Sequence, residues 1–426
     1  MKSLINFLND SPCNFLAVDT VKGMLSEAGF REQRLENAFD VKQGDKFFFT
    51  KNDSAIFTVK VGKKQPVETG FKIVAAHSDS PCFRIKPHAA MLTDGGLVKL
   101  NTEVYGGPIL YTWFDRPLSI AGRVILKGKK ALRPVTRLIK IERPLLTIPH
   151  LAIHFNRAVN EGNPLSKQKD LLPIFALVNE RLEADNLLVN LVADELKVAV
   201  EEILDFDLLL YDTTPACTFG LRDEFISSGR LDDLSMVHAA ITALLDAPDG
   251  DATLVAAIFD NEETGSGTKQ GAASPVLTEA LLRLVTALGG SHEDYCRALQ
   301  LSFMISADNA HAFHPNYAEK YDPTNHPTLG GGPCVKINSN CKYMTDAHSA
   351  AIFRSLCDAA GVRMQYFVNH SDVAGGSTLG NILTAQADIE GVDVGNPILA
   401  MHSVRETASV TDHADMIAVM TRFFTD

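Results

Sequence analysis

Four hydrophobic runs in this 426-residue chain each end on residues able to bind a cation or move a proton. Phe71 to Ala76 is followed by His77, Ser78 and Asp79. Thr253 to Phe259 is followed by Asp260, Asn261, Glu262 and Glu263. Leu301 to Ala307 leads to Asp308, and the run ending at Met401 leads to His402. A further acid, Asp232, stands in Gly229-Arg230-Leu231-Asp232-Asp233-Leu234 at the start of a helical pattern. In open α/β sheets, ligands and catalytic groups collect at the carboxyl ends of strands, so these residues are candidates for one shared site. Imidazole nitrogens and carboxylate oxygens are the ordinary donors for a pair of zinc-type ions. Two such ions about 3.5–4 Å apart repel strongly unless a carboxylate bridges them. Asp79, two residues beyond His77, can hold the second ring nitrogen and fix the tautomer. Glu262 and Glu263 project differently, so one can bind metal while the other stays free as a base.

The elements that must position these groups follow from hydrophobic spacing. Leu4, Phe7, Leu8, Phe15, Leu16, Val21, Met24 and Leu25 predict a helical N-terminal stretch that Gly29 ends. Phe47 to Thr50 and Ala55 to Val61 predict a strand hairpin. The runs before His77, Asp260 and Asp308 read as buried strands, and another strand is expected within Val392 to Met401. Leu231 to Leu245 and Asp346 to Ala360 predict helices, and Thr411 is expected to cap a last helix through Phe424. Strands alternating with helices imply an α/β catalytic domain, a mostly parallel sheet with helices on both faces. Between residues 82 and 227 the texture differs. Val98 to Leu100, Ile109 to Trp113, Leu118 to Leu126 and Arg137 to Ile141 are short strand-like runs, Asn156 to Lys169 is a polar loop, and Leu182 to Asp205 mixes helix and strand signals. The expected organisation is a catalytic domain from 1–81 and 228–426, interrupted by an inserted, mainly β domain at 82–227.

Bulk properties narrow the function. The formal net charge of -12 disfavours nonspecific nucleic-acid binding. The seven cysteines form no C-x-x-C pair, which argues against a disulfide framework and a thiolate zinc site. No apolar run reaches bilayer length and no cleavable signal follows the first residues, so no membrane partner and a cytoplasmic location are expected. Gly265-Ser266-Gly267-Thr268-Lys269 fails the phosphate-loop pattern because Thr268 separates Gly from Lys. His150 and His154 have zincin spacing but lack the intervening Glu.

The segments Ala76-His77-Ser78-Asp79-Ser80-Pro81, Gly229 to Asp233, Asp260 to Ser266, Ser306-Ala307-Asp308-Asn309-Ala310-His311, His314 to Tyr317 and Met401 to Glu406 resemble, in order, those of the M18 metalloaminopeptidases, whose best-known members are aspartyl aminopeptidases. The resemblance runs over nearly the whole chain. It implies two divalent ions, with zinc expected and cobalt or manganese acceptable. His77 and Asp308 would ligate one, Glu263 and His402 the other, and Asp232 would bridge them. Glu262 would be the general base and Asp79 the orienter of His77. The family pattern has Asn after the bridging Asp; Asp233 stands there and adds a negative charge. The family also builds tetrahedral dodecamers through dimer contacts of the inserted domain. The resemblance further implies that a histidine in this stretch, His154, reaches the site of a neighbouring subunit; the competing reading is a packed structural histidine.

The activity implied is removal of single amino-terminal residues from peptides. In an acidic protein a preference for Asp or Glu needs a locally basic pocket. Lys336, in Gly332-Pro333-Cys334-Val335-Lys336-Ile337-Asn338, is the lysine that the resemblance places against the substrate carboxylate. Tyr343, His311 and His348 are further candidate donors. The alternatives are a broad-specificity or neutral-residue aminopeptidase, a deacylase or carboxypeptidase on the same scaffold, and a noncatalytic oligomeric shell.

Overall fold

The computed structural model describes residues 1–178 and 186–426. The start of the mixed-signal segment expected at 182–205, residues 182–185, lies outside them. The chain divides into two compact units, one of Met1–Asp79, Ala216–Met401 and Glu406–Asp426, the other of Ser80–Pro215 and His402–Arg405. The return to the first unit comes at Ala216, earlier than the expected 228, because strands Cys217–Phe219 and Phe225–Ser228 pair with each other and Phe225–Ser228 pairs with Glu406–Ser409.

The first unit is built on a nine-stranded sheet in the order Arg31–Glu32, Lys46–Lys51, Ala55–Lys60, Thr253–Phe259, Phe71–His77, Phe303–Ala307, Glu390–Gly395, Cys334–Ile337, Gln365–Val368. The strands Thr253–Phe259, Phe71–His77, Phe303–Ala307 and Glu390–Gly395 run parallel to one another, whereas Ala55–Lys60 and Cys334–Ile337 join them antiparallel. Side chains alternate across a strand, so a two-sided core needs an unbroken apolar run. Val74 and Ala76 enter one hydrophobic cluster, Phe71, Ile73 and Ala75 the other, and the residues of Thr253–Phe259 divide the same way. Helices Lys2–Asp10, Asn14–Glu27, Leu231–Asp246, Ala347–Ala360 and Val410–Thr425 supply the first cluster, and Val276–Ala287, His292–Gln300 and Leu379–Gln386 the second. The α/β architecture with both faces covered is the one expected.

Local details depart from the spacing argument. The N-terminal stripe is two helices, because the chain breaks at Ser11–Cys13 around Pro12. The last helix begins at Val410 with Ser409 as its N-cap, rather than at Thr411. The expected strand from Val392 to Met401 is two strands in different sheets, Glu390–Gly395 and Pro397–Leu399. His402 therefore sits beyond a strand end, on a turn where its own φ is 68° and that of Ala400 is 56°. A second sheet of the first unit, in the order Cys217–Phe219, Phe225–Ser228, Glu406–Ser409, Pro397–Leu399, Ala310–His311, has no counterpart in the sequence reading.

The second unit is an antiparallel six-stranded sheet in the order Arg133–Lys140, Leu118–Lys130, Ile203–Asp212, Cys82–Leu92, Leu97–Tyr105, Ile174–Leu177. Its core joins Phe83, Leu100, Trp113, Ile120, Leu208 and Leu210 to Leu188, Val192 and Leu196 of helix Leu187–Leu196. The run around Ile109–Trp113 is a 3-10 turn over Leu110–Trp113 rather than a strand.

Candidate metal centre

His77 ends its strand and is 1% exposed. Its backbone N–H donates to Asp233 Oδ2 at 3.2 Å. Its ring Nδ1 lies 3.0 Å from the carbonyl oxygen of Asp79 and 3.4 Å from Asp79 Oδ1, while Nε2 is 3.8 Å from Asp232 Oδ1. A proton on Nδ1 satisfies the Asp79 carbonyl and leaves the Nε2 lone pair for a cation on the Asp232 side. Burial opposes charge on the imidazole, but Asp233, Asp79 and Glu262 outweigh it and hold its pKa well above the ordinary value.

Asp232 and Asp233 open the helix Leu231–Asp246, and the peptide bond between them is cis. The Asp232 N–H donates to Glu406 Oε2 at 3.1 Å, which ties the candidate bridging residue to the second sheet of its unit. Asp233 does not project as a loose extra charge. Besides the His77 N–H, its carboxylate accepts from Asn309 Nδ2 at 3.3 Å, and the same amide donates to the Leu231 carbonyl at 2.8 Å. Burial, with Asp308 and Asp232 adding to it, raises the Asp233 carboxyl well above its ordinary range.

The Glu262-Glu263 pair lies on a 3-10 turn, Glu262–Thr264, entered through left-handed Asn261 at φ 62°. Asp79 clamps this turn. Its Oδ1 accepts from the Glu262 N–H at 3.1 Å and its Oδ2 from the Glu263 N–H at 3.2 Å. The carboxylate expected to orient His77 thus also holds the backbone of both glutamates, a role that the His77-to-Asp79 spacing did not signal. Burial, helped by Asp308, Asp79 and Asp232 against the pull of His77, pushes the Glu262 carboxyl up to about 8.

Asp308 follows Phe303–Ala307, and its N–H donates to the Val394 carbonyl at 2.9 Å. The neighbouring strand must approach closely here: a Cβ on Gly395 would fall 1.9 Å from the Asp308 carbonyl oxygen. His77, Asp232, Asp233 and Asp308 each place a ligand atom within 4.8 Å of the others, and His77, Glu262 and Glu263 form a second such group. Buried carboxyls crowded this tightly raise one another's pKa, and a cation is what favours their charged forms. An imidazole nitrogen with several carboxylate oxygens suits zinc-type dications, so the residues present fit the metal that their chemistry implies.

Lys336 is 3% exposed on strand Cys334–Ile337, with Nζ 3.3 Å from Asp308 Oδ1 and 5.7 Å from the centre of the Tyr343 ring. Burial opposes its charge, but Asp308, Tyr343 and Asp393 outweigh burial and raise its pKa. Tyr343 is 8% exposed and packs with Ala310, Cys334 and Phe367. His311 is exposed, its ring 5.7 Å from that of Phe367. His348 is not a pocket donor: it is exposed and pairs with Glu390, at the start of a strand whose far end lies beside Asp308. The remaining two candidates belong to the second unit. His154 is exposed in a turn between Ile153 and Phe155, which with nearby Leu151 are also exposed. His402 is held there by its Nδ1, 3.0 Å from the Gly107 carbonyl oxygen, and by its own carbonyl, which accepts from the Ile109 N–H at 2.9 Å.

Residues 7–424 match the family model described as Aminopeptidase I zinc metalloprotease (M18). The chain is 50% identical over 412 residues to a probable M18 family aminopeptidase 2 of Clostridium acetobutylicum, covering 97% of this chain and 95% of that protein. It is 41% identical over 425 residues to a protein of the same description from Pseudomonas aeruginosa, covering 99% of this chain and 97% of the relative. Among solved structures, the cryo-EM structure of the Ape4 and Nbr1 complex superposes with a TM-score of 0.95 at 33% identity, over 99% of this chain and 85% of that one.

Proposed function

This chain belongs to the M18 family of zinc aminopeptidases, hydrolases that act on amino-terminal residues, and from that premise we propose that it uses two divalent cations and prefers Asp or Glu at the amino terminus of its peptide substrates. The observation that carries the metal part is the buried group of His77, Asp232, Asp233 and Asp308, with Glu262 and Glu263 grouped around the same imidazole. We assign His77 and Asp308 to one cation, Glu263 and His402 to the other, and Asp232 to the bridge, with zinc as the expected metal and cobalt or manganese as substitutes. A bound pair of cations would polarise the scissile carbonyl and lower the pKa of a water molecule between them. Glu262, free to move a proton, takes one from the attacking water and returns it to the leaving amine. Asp79 keeps this base in place through the glutamate amides and His77 through its ring nitrogen.

The acidic preference rests on Lys336, whose ammonium lies beside Asp308 of the cluster, with Tyr343 and His311 as further substrate-side candidates. A charge-assisted hydrogen bond is worth roughly 1.5–3 kcal/mol, about a ten- to hundredfold preference over a neutral residue. Peptides differing only in the first residue should therefore be cleaved faster with Asp or Glu than with Leu or Lys. Blocking the amino group should stop cleavage, as should a chelator. Faster turnover of the Leu peptide would overturn the acidic assignment in favour of broad specificity. Cleavage of the blocked peptide would favour a deacylase. A noncatalytic shell is the weakest alternative, since the candidate ligands and base are all present.

We further propose a cytoplasmic homododecamer assembled from dimers of the second unit, in which His154 reaches the site of a neighbouring subunit. Among the described residues, no helix is long and apolar enough to cross a membrane. Support for the shared site comes from the family resemblance and from the exposed apolar turn that carries His154. Mixing inactive Glu262→Gln subunits with inactive His154→Ala subunits should restore activity to hybrid sites. Mixed oligomers that stay inactive would remove His154 from the reaction.

A further inference from the structure

We propose that Lys336 is the resident counter-charge of the Asp308 metal position, so that a cation and the lysine compete for the same carboxylate. The inference rests on Asp308 being a metal ligand. The ammonium lies 3.3 Å from Asp308 Oδ1, with side-chain exposures of 4% and 10%. Water does little to screen a pair this buried. Of the other carboxylates that act on Lys336, Asp232 belongs to the same crowded group as Asp308, and Asp393 is occupied: it accepts from the Met344 N–H at 2.6 Å and from the Thr378 hydroxyl at 2.6 Å. Among the described residues, Asp308 makes the one ion pair of Lys336.

The consequence runs opposite to that of an ordinary structural ion pair. Without a cation, Lys336 neutralises a carboxylate crowded by Asp232 and Asp233. With a dication on Asp308, the ammonium becomes a like charge a few ångströms away and repels it. Lys336 thus stabilises the protein before loading and weakens the affinity of one cation. Loading also frees the ammonium from its carboxylate and offers it to the acidic side chain of a substrate. Removing the lysine's charge should therefore strengthen metal binding, where loss of a merely structural contact would weaken it.

The test strips metal from the full-length protein and titrates zinc at pH 8 against a colorimetric chelator, alongside thermal unfolding of the metal-free and loaded forms. Lys336→Met is expected to bind one of its two ions about tenfold or more tightly than wild type. Its metal-free form should lose more thermal stability than its loaded form. Lys336→Gln repeats the test if the Met variant does not fold, and Lys336→Arg, which keeps the charge, should restore wild-type affinity. Unchanged or weaker zinc binding in the neutral variants overturns the proposal. Asp308→Asn separates this failure from that of the premise: if it binds both ions with wild-type affinity, Asp308 is not a ligand and the underlying assignment fails instead.

Discussion

Replacing Glu262 with Gln is expected to lower turnover by roughly 10²–10⁴-fold, the usual scale for a positioned proton-transfer group, while leaving metal content unchanged. The substitution keeps the shape of the side chain and removes its ability to carry a proton. The backbone of the turn should hold, because Asp79 grips the amides of residues 262 and 263 and not their side chains. Glu263→Gln should instead lower metal affinity, since that carboxylate is assigned as a ligand. Metal analysis of both purified variants, beside their kcat values, separates the roles, and interchanged phenotypes would reverse the assignment of the pair. The pH profile adds a second check. Burial and neighbouring carboxylates push Glu262 up to about 8. A nearby cation favours the ionised form, so the acid limb of kcat/KM should fall below that value in the loaded enzyme and be absent in Glu262→Gln.

Asp232→Ala should be the most damaging ligand change, abolishing detectable activity and weakening both cation positions together. Asp232 is 3% exposed, faces Nε2 of His77, and belongs to the same close group as Asp308. Its backbone amide donates to Glu406 Oε2 at 3.1 Å, which holds this residue in place beside the cluster. His402→Ala should weaken one position only. Chelation should inactivate the wild-type protein, and zinc, cobalt or manganese should restore it. The decisive measurement is metal stoichiometry by atomic absorption: full two-site occupancy in Asp232→Ala would remove its bridging role.

Much of the site was legible in the chain because strands of a two-faced sheet must be apolar runs, and the first polar residues after them emerge at one edge. His77, Asp308 and the Glu262-Glu263 pair were found that way, and the structure gathers them with Asp232. Lys336 was legible as a basic residue in a strand, but not as the partner of Asp308. The strand Cys334–Ile337 joins the sheet antiparallel beside Glu390–Gly395, and nothing in its own spacing announces that neighbour. The placement of His348, one candidate donor, was hidden for the same reason: it pairs with Glu390, and register against Phe303 puts Glu390 at the opposite end of its strand from Asp308.

By itself, then, the sequence determined the α/β class, and it offered a change of texture after residue 82 and a set of polar residues at the ends of apolar runs, all of which depend on periodicity and residue type along a few neighbouring positions. Only the tertiary structure decided what each charged group faces. Asp79 reaches amides that lie 183 and 184 positions away, Glu406 reaches Asp232 across 174, and the second sheet unites strands from three distant parts of the first unit. Such contacts are set by strand order and register, which follow from how the whole apolar surface packs and leave no mark on any local stretch of residues.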